Sequence, residues 1–223
     1  MPLVLGLDTA GPLVGVAAWD DGPSGTWSAP LERGTERSLV PAVRQVLAGR
    51  RPDVVAVAAG PGTFTGLRVG VATALGLARG WRCPVVALSS LVVRAALAPG
   101  EPRVLALLDA RKNRFYAGLF DTRGAWPEPL GDERDVALDA LLGDLPALCT
   151  GDGALLAAGR LEAAGGRIHP TAGSSPAVET ARLGALAYAA GQAVEPVLVR
   201  IRYLRPPDAT PRVPGFDNPP GPS

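Results

Sequence analysis

The chain has 223 residues, 47% of them hydrophobic, which is enough to bury one sizeable core or two smaller ones sharing an interface. Lys+Arg at 22 against Asp+Glu at 21 leave a formal charge of +1, so no long-range field singles out nucleic acid, an anionic membrane or an acidic substrate. Nearly all the positive charge is arginine, with Lys112 the single lysine, and Cys83 and Cys149 stand far apart with no CxxC spacing. That excludes the disulfide framework of a small secreted protein and points to a reducing, cytoplasmic setting.

The opening MPLVLGLDTAG has no basic leader, and Asp8 breaks its apolar stretch, so it reads as a first strand and not as a signal peptide. No run reaches the length of a membrane span. Short, nearly uninterrupted apolar runs at 3–7, 54–59, 84–88 and 104–108 predict strands covered on both faces. The weaker alternation of 14–19, followed by Asp20-Asp21-Gly22, predicts a second strand entering a hairpin. Helical patterns fall at 35–48, 66–79, 89–97, 153–164 and 178–190. Pro41 lies inside the first of these, which therefore starts near Ser38 or is kinked, and Thr35 is a candidate N-cap.

A second hairpin is expected from 103–109 and 114–120, joined by Ala110-Arg111-Lys112-Asn113, and it opens a second lobe. The pattern is α/β, with two lobes that each hold a mixed sheet flanked by helices. The N-terminal lobe takes residues 1–98, completed by the helix at about 178–190, and the smaller C-terminal lobe takes 99–205. The proline-rich stretch 206–223 is expected to be a disordered tail.

The segment AAGPGTFTGLRVGVATALGLARG, residues 58–80, carries the most information. Gly60-Pro61-Gly62 turns the chain at a strand end, and Thr63 or Thr65 can cap the helix that follows. Gly66, Gly70 and Thr73 form a stripe of small residues on that helix. A helix-interior glycine costs roughly 1 kcal/mol relative to alanine, so two on one face need a reason such as the close approach of another backbone. Packing against the helix at 35–48 and packing against another subunit both supply one.

The same loop can be tested as a chemical site. A phosphate-binding P-loop needs a lysine that this segment lacks. A dinucleotide site would have Gly60, Gly62 and Gly66, but the loop does not follow the first strand, and the next strand ends in Ser89-Ser90 with no acid to grip a ribose. Thr63, Thr65 or Ser89 as nucleophiles would need a base. The only histidine, His169, sits beside Pro170 in a loop of the second lobe and reads as an ordinary surface residue.

The stretch GPGTFTGLRVGVATALGLARG, together with Asp8-Thr9-Ala10, ERSLVPAVRQVL, VLALLDARKNRFYAGLF, TGDGA and EPVLVRIRYLR, resembles the TsaB (YeaZ) family over most of residues 1–205. The resemblance implies the actin-like ATPase (ASKHA, ribonuclease H-like) fold and a role in making N6-threonylcarbamoyladenosine beside the tRNA anticodon. It also implies partnership with TsaD, a catalytic paralogue, and with the ATPase TsaE. ATP and metal would then belong to the partner subunits, with no cofactor bound by this chain alone.

Where TsaD holds its metal through histidines, this chain has Ser89-Ser90-Leu91-Val92-Val93-Arg94, in which serine is a poor ligand and arginine a permanent cation. Asp8 and Thr9 resemble the first phosphate motif of actin-like ATPases, but Asp8 can equally end a strand and bond loop amides. TGDGA, at 150–154, reads as a capping turn or a phosphate loop. Many relatives carry a histidine where Thr35 stands.

Two functions follow. The first is a subunit that is not an enzyme by itself, with catalytic residues and metal ligands absent. It docks on TsaD, or on a second copy in isolation, through Ser38, Leu39, Val43, Gly66, Leu67, Gly70, Val71, Thr73 and Leu77. Gly70→Arg is then expected to break that contact and spare the fold. The second is a self-sufficient, kinase-like ATP-dependent enzyme, which needs Asp8 and residues 151–154 to face one cleft. Peptidase activity has no metal ligands to run on. tRNA contact, within the complex only, could use Arg111, Lys112 and Arg114 or Arg200, Arg202 and Arg205, although solvated arginines are the commoner explanation.

Overall fold

The computed structural model of the chain describes residues 2–32 and 34–205. The expected disordered tail, 206–223, lies outside the described residues. Five strands form the first sheet: β1 (Val4–Asp8), β2 (Leu13–Trp19), β3 (Pro23–Pro30), β4 (Val54–Ala58) and β5 (Val85–Leu88), in the order β3-β2-β1-β4-β5. The hairpin strands pair antiparallel, with Asp8 opposite Gly15, whereas β1, β4 and β5 run parallel, with Leu7 opposite Val57. The apolar runs of β1 and β4 are buried at every position because helices cover both faces.

On one face lie α1 (Glu36–Leu47) and α2 (Phe64–Trp81), side by side. Leu39, Val43, Val46, Val71, Ala74 and Ala78 pack there against Leu5, Leu7, Val55 and Val57. Of the two expectations set by Pro41, a start near Ser38 is not met: α1 begins at Glu36 and runs through Pro41. Thr35 precedes it without bonding a helix amide, and its Oγ1 instead accepts from the Glu32 amide at 2.8 Å. On the other face lies α7 (Ala177–Ala189), whose Gly184 and Ala181 let the helix come down onto Gly6 and Ala56.

The second sheet has the order β11-β10-β6-β7-β8, with β9 also on β7. Its strands are β6 (Val104–Asp109), β7 (Arg114–Asp121), β8 (Glu128–Pro129), β9 (Arg134–Ala137), β10 (Leu148–Thr150) and β11 (Arg167–Ile168). The β6–β7 turn holds Arg111, Lys112 and Asn113 at φ of 63°, 54° and 57°, three left-handed residues in a row.

The helical pattern at 153–164 is two short helices, α5 (Asp152–Leu156) and α6 (Ala158–Ala163), broken at Ala157, where ψ is 8°. A four-residue α4 (Leu138–Leu141) follows β9. The remaining helix, α3 (Ser90–Ala95), leaves β5 and buries Leu91 and Ala95 against Val104, Leu108 and Phe120 of the second lobe. It is the element shared by both halves, and it carries Arg94 into the gap between them. No helix among the described residues is long and apolar enough to cross a membrane.

Candidate functional site

The site begins at the end of β1. Asp8 is fully buried, and its Oδ1 accepts from the Ala10 amide at 3.0 Å, the local bond of a residue that closes a strand. Thr9 and Ala10 are then held by the glycine-rich segment. The Thr63 amide donates to the Ala10 carbonyl at 2.9 Å, and Thr9 Oγ1 donates to the Gly66 carbonyl at 2.7 Å. A Cβ on Gly62 would stand 2.6 Å from the Ala10 oxygen, one on Gly66 2.1 Å from the Thr9 oxygen, and one on Gly70 2.0 Å from Thr9 Oγ1. The glycines therefore form a socket for the Asp8-Thr9-Ala10 turn, and the backbone they admit is this chain's own.

This corrects the expected docking surface. Leu39, Val43, Leu67 and Val71 lie in the first-lobe core, and Gly66 and Gly70 face Thr9, so none of the six presents an outer face. At Gly66 and Gly70 the nearest neighbours belong to Thr9 and Thr63 rather than to α1. Of the interface residues read from sequence, Ser38 is exposed and Thr73 and Leu77 are half-buried. The outward stripe of α2 is instead Thr65, Arg68, Ala72, Gly76 and Arg79, and Val40, Pro41 and Arg44 of α1 are likewise exposed. Gly76 and Gly80 have open space where a Cβ would point. The sequence reading did not single out this outward set, and the socket geometry shows that Gly66 and Gly70 face inward.

Across the gap from Asp8 stands Arg94, whose side chain is 4% exposed. Its Nη1 donates to Asp8 Oδ2 at 3.1 Å and to the Ser90 carbonyl at 3.0 Å, and its Nη2 donates to Asp8 Oδ1 at 3.3 Å. Its Nε lies 3.9 Å from Oδ1 of Asp152, the first residue of α5 in the second lobe. Asp152 Oδ2 also accepts from the Asp109 amide at 3.2 Å, and Thr150 Oγ1 donates to the Arg94 carbonyl at 3.0 Å. Burial raises the Asp152 pKa, and the Arg94 guanidinium works against that rise. Asp8 and the 151–154 turn do face one cleft, and Arg94 fills it.

A cavity of about 20 Å³ remains there, lined by Pro12, Leu13, Arg94, Asp152, Ala172, Gly173, Ser174 and Pro176. That is room for about one water, whereas small-molecule pockets run to roughly 300–1,000 Å³. An actin-like fold implies a magnesium nucleotide in this cleft, and the residues present do not fit one: the carboxylate that would meet the cation is bonded to a guanidinium, and the phosphate space is occupied. Among the described residues, no group of three or more His, Cys, Asp or Glu side chains is arranged to hold a metal.

A second contact between the lobes lies where the last described residues cross the ends of β4 and β5. The Arg202 amide donates to the Ala59 carbonyl at 2.8 Å, and a Cβ on Gly60 would lie 2.1 Å from the Arg202 oxygen. Arg202 Nη1 donates to Glu133 Oε2 at 2.7 Å, and Ser89 Oγ donates to Glu133 Oε1. Ser89 also caps α3 by accepting from the Leu91 amide at 3.2 Å. Burial pushes the Glu133 pKa up, while Ser89 and Arg202 hold it back. Tyr203 packs on the Phe64 ring at 5.6 Å, with Arg68 over that ring at 3.7 Å. Arg114, Arg202 and Arg205 are paired with Asp135 or Glu133, and Arg200 donates to the Val197 and Val199 carbonyls. His169 lies in an exposed loop, bonded to Thr171.

Comparison with known proteins agrees with this architecture. Residues 33–142 match the family model described as TsaD: tRNA N6-adenosine threonylcarbamoyltransferase. The chain is 32% identical over 145 residues to the tRNA threonylcarbamoyladenosine biosynthesis protein TsaB of Escherichia coli (strain K12), covering 60% of this chain and 62% of that protein. It is 29% identical over 142 residues to the protein of the same name from Bacillus subtilis (strain 168), with the same two coverages. The match thus spans less than two thirds of the length of these curated relatives. The solved structure of YeaZ from Pseudomonas aeruginosa superposes with a TM-score of 0.78 at 27% identity, covering 92% of this chain and all of that one. The fold is of the actin-like, ribonuclease H-like class. Within it, the chain is similar to proteins named TsaB and YeaZ.

Three outcomes follow from the geometry. Arg94→Ala strips a buried carboxylate of its partner and is expected to cost about 3–5 kcal/mol in urea unfolding. The double variant Asp8→Asn/Arg94→Met, which removes both charges, is expected to cost less than the single one. Gly70→Ala forces a methyl onto Thr9 and should lose about 1–3 kcal/mol, with part recovered when Thr9→Ala is added. Glu133 has a folded pKa above its unfolded one, so its contribution is complete at low pH and is lost as pH rises through the raised value. Urea midpoints of Glu133→Gln, measured against pH, should lack that fall.

Proposed function

We propose that this protein is a non-catalytic subunit of the machinery that installs N6-threonylcarbamoyl on the adenosine beside the tRNA anticodon. In this reading it docks on TsaD through the outer face of α1 and α2, and through TsaD it works with TsaE. It acts in the cytoplasm, and ATP, metal and the chemical step reside in the partners. tRNA is met only within the assembly.

The observation that carries this reading is the Arg94 side chain, which takes the Asp8 carboxylate and the cleft volume that a magnesium nucleotide would need. A stand-alone kinase-like enzyme requires that volume free. What remains for function is surface, and the helix pair exposes Val40 and Pro41 on α1 and open backbone at Gly76 and Gly80 on α2. The pathway named for the E. coli and B. subtilis relatives, together with the family model spanning α1 to α4, supports the choice of partner.

The test replaces Gly70→Arg with a position that does face outward. Gly76→Trp should leave the melting temperature within a few degrees of wild type and weaken co-elution with TsaD on size exclusion at least tenfold, with a matching loss of threonylcarbamoyl transfer in the reconstituted mixture. Full transfer by a mixture lacking this chain, or by this chain alone, would refute the reading.

A further inference from the structure

We infer that the groove on the second lobe, between the β6–β7 turn and the α5–α6 break, holds one nucleotide of an RNA chain. Its flanking phosphates meet Arg111, Lys112 and Arg160, and its base lies on Leu156. The inference deepens the function proposed above and rests on it, because the RNA it calls for is the tRNA of that pathway.

The cleft between the lobes is filled by Arg94, but a cavity of about 640 Å³ lies open on the second lobe. That volume falls within the roughly 300–1,000 Å³ that small ligands occupy, and it is too local for the broad surface of a stable protein contact. The turn residues Arg111, Lys112 and Asn113 form one part of its wall, and Arg160 of α6 forms another. Leu156, the last residue of α5, supplies the open apolar surface at 66% exposure, whereas Phe115 and Leu138 are buried.

Among the described residues that line the groove, three are cationic and one, Asp109, is acidic. Asp109 is already engaged: its Oδ1 accepts from the Arg111 amide at 2.7 Å, and its Oδ2 lies 3.5 Å from Arg111 Nη1. Arg160 donates to Asp139, which is outside the lining. Both guanidinium side chains stay open to solvent, Arg111 at 77% and Arg160 at 58%, and each has five donors to place. Arg114, grouped with Arg111 and Lys112 in the sequence, is drawn away, since its Nε and Nη2 donate to the Asp135 carboxylate and carbonyl at 2.7 and 2.6 Å. The turn keeps three successive non-glycine residues left-handed, a costly conformation that persists only where its surroundings impose it. Here the Asp109 carboxylate holds the Arg111 amide, and the Ala110 amide closes onto the Arg114 carbonyl at 3.0 Å.

The occupant follows from what the groove offers. An extended peptide needs an unpaired strand edge, and among the described strands β6 lies between β10 and β7, and β7 between β6 and the strands β8 and β9. A docking helix needs a row of apolar anchors, whereas the open floor here is one leucine wide. A planar base flanked by two anions suits both the narrow floor and the surplus of cations. Guanidinium groups bind phosphate oxygens through paired N–H donors, and the Asn113 amide can donate and accept at a base edge. In a duplex the base would be stacked and paired, so the nucleotide comes from a loop of the RNA.

The test uses the full chain mixed with TsaD, TsaE and an unmodified tRNA transcript. In Arg111→Gln/Lys112→Gln/Arg160→Gln the KM for tRNA should rise roughly tenfold with kcat within twofold of wild type. Between about 50 and 200 mM salt, the slope of log KM against log salt should become shallower by about 1.4, the share of two single-strand phosphates. The charge-keeping variant Arg111→Lys/Arg160→Lys should retain the wild-type slope, which a merely misfolded groove would not. An unchanged KM and slope in the triple variant overturns the inference. Separately, a thiouridine-substituted transcript is photocrosslinked to the same mixture, and the adducts should fall on residues 109–115 or 155–161. Adducts confined to other parts of this chain, or none on it, overturn the inference. Loss of the adducts to an equal concentration of AMP or inorganic phosphate does so too, because the groove would then take a free ligand. If the wild-type mixture transfers nothing, or transfers as well without this chain, the proposed function fails, and the crosslink alone decides whether the groove binds RNA.

Discussion

The fork from Arg94 to Asp8 is the constraint around which the rest of the molecule is arranged. A guanidinium and a carboxylate removed from water lose several kcal/mol of hydration each, and they are tolerated only when geometry and further hydrogen bonds compensate. Here the compensation comes from every side: the Ala10 amide on Asp8, the Ser90 carbonyl on Arg94, and Asp152 behind the guanidinium. Asp8 belongs to the first lobe, Asp152 to the second and Arg94 to the helix between them. One charge network therefore fixes both the local turn after β1 and the approach of the two sheets.

The glycine-rich segment belongs to the same device. By leaving out side chains at Gly62, Gly66 and Gly70, it lets α2 settle on Thr9 and Ala10, and this holds Asp8 at the cleft. The cost in helix propensity, of order 1 kcal/mol per glycine, is offset by a buried hydrogen bond to Gly66 and by dense packing. A segment with the outline of a ligand loop thus works as a joint. Its outer stripe, one helical face away, is exposed.

Much of the fold was legible in the sequence. Unbroken apolar runs marked β1, β4, β5 and β6 because strands covered on both faces need no polar alternation, and amphipathic spacing marked α1, α2 and α7. The break at Ala157 escaped, since an alanine and leucine run gives no local stop signal. Within the site, spacing on α2 showed the stripe of Gly66, Gly70 and Thr73 but not which way it faces. Only the distance to Thr9 shows that Gly70 faces inward and Gly76 outward. Arg94 was read only as a cation unsuited to ligate a metal, and its partner Asp8 was missed. The available signal was the wholly apolar setting of SLVVRAAL, with no acid from residue 54 to 100: an arginine buried there must find its carboxylate far away in sequence.

Carrying its own cation has one more consequence. In nucleotide-dependent relatives of the fold class, domain closure is a saturable variable that follows the concentration of a diffusible ligand. A tethered guanidinium has an effective concentration set by covalent connection and does not dilute. The approach of these lobes is therefore held by a contact written into the chain, one that no change in the supply of a small molecule dilutes.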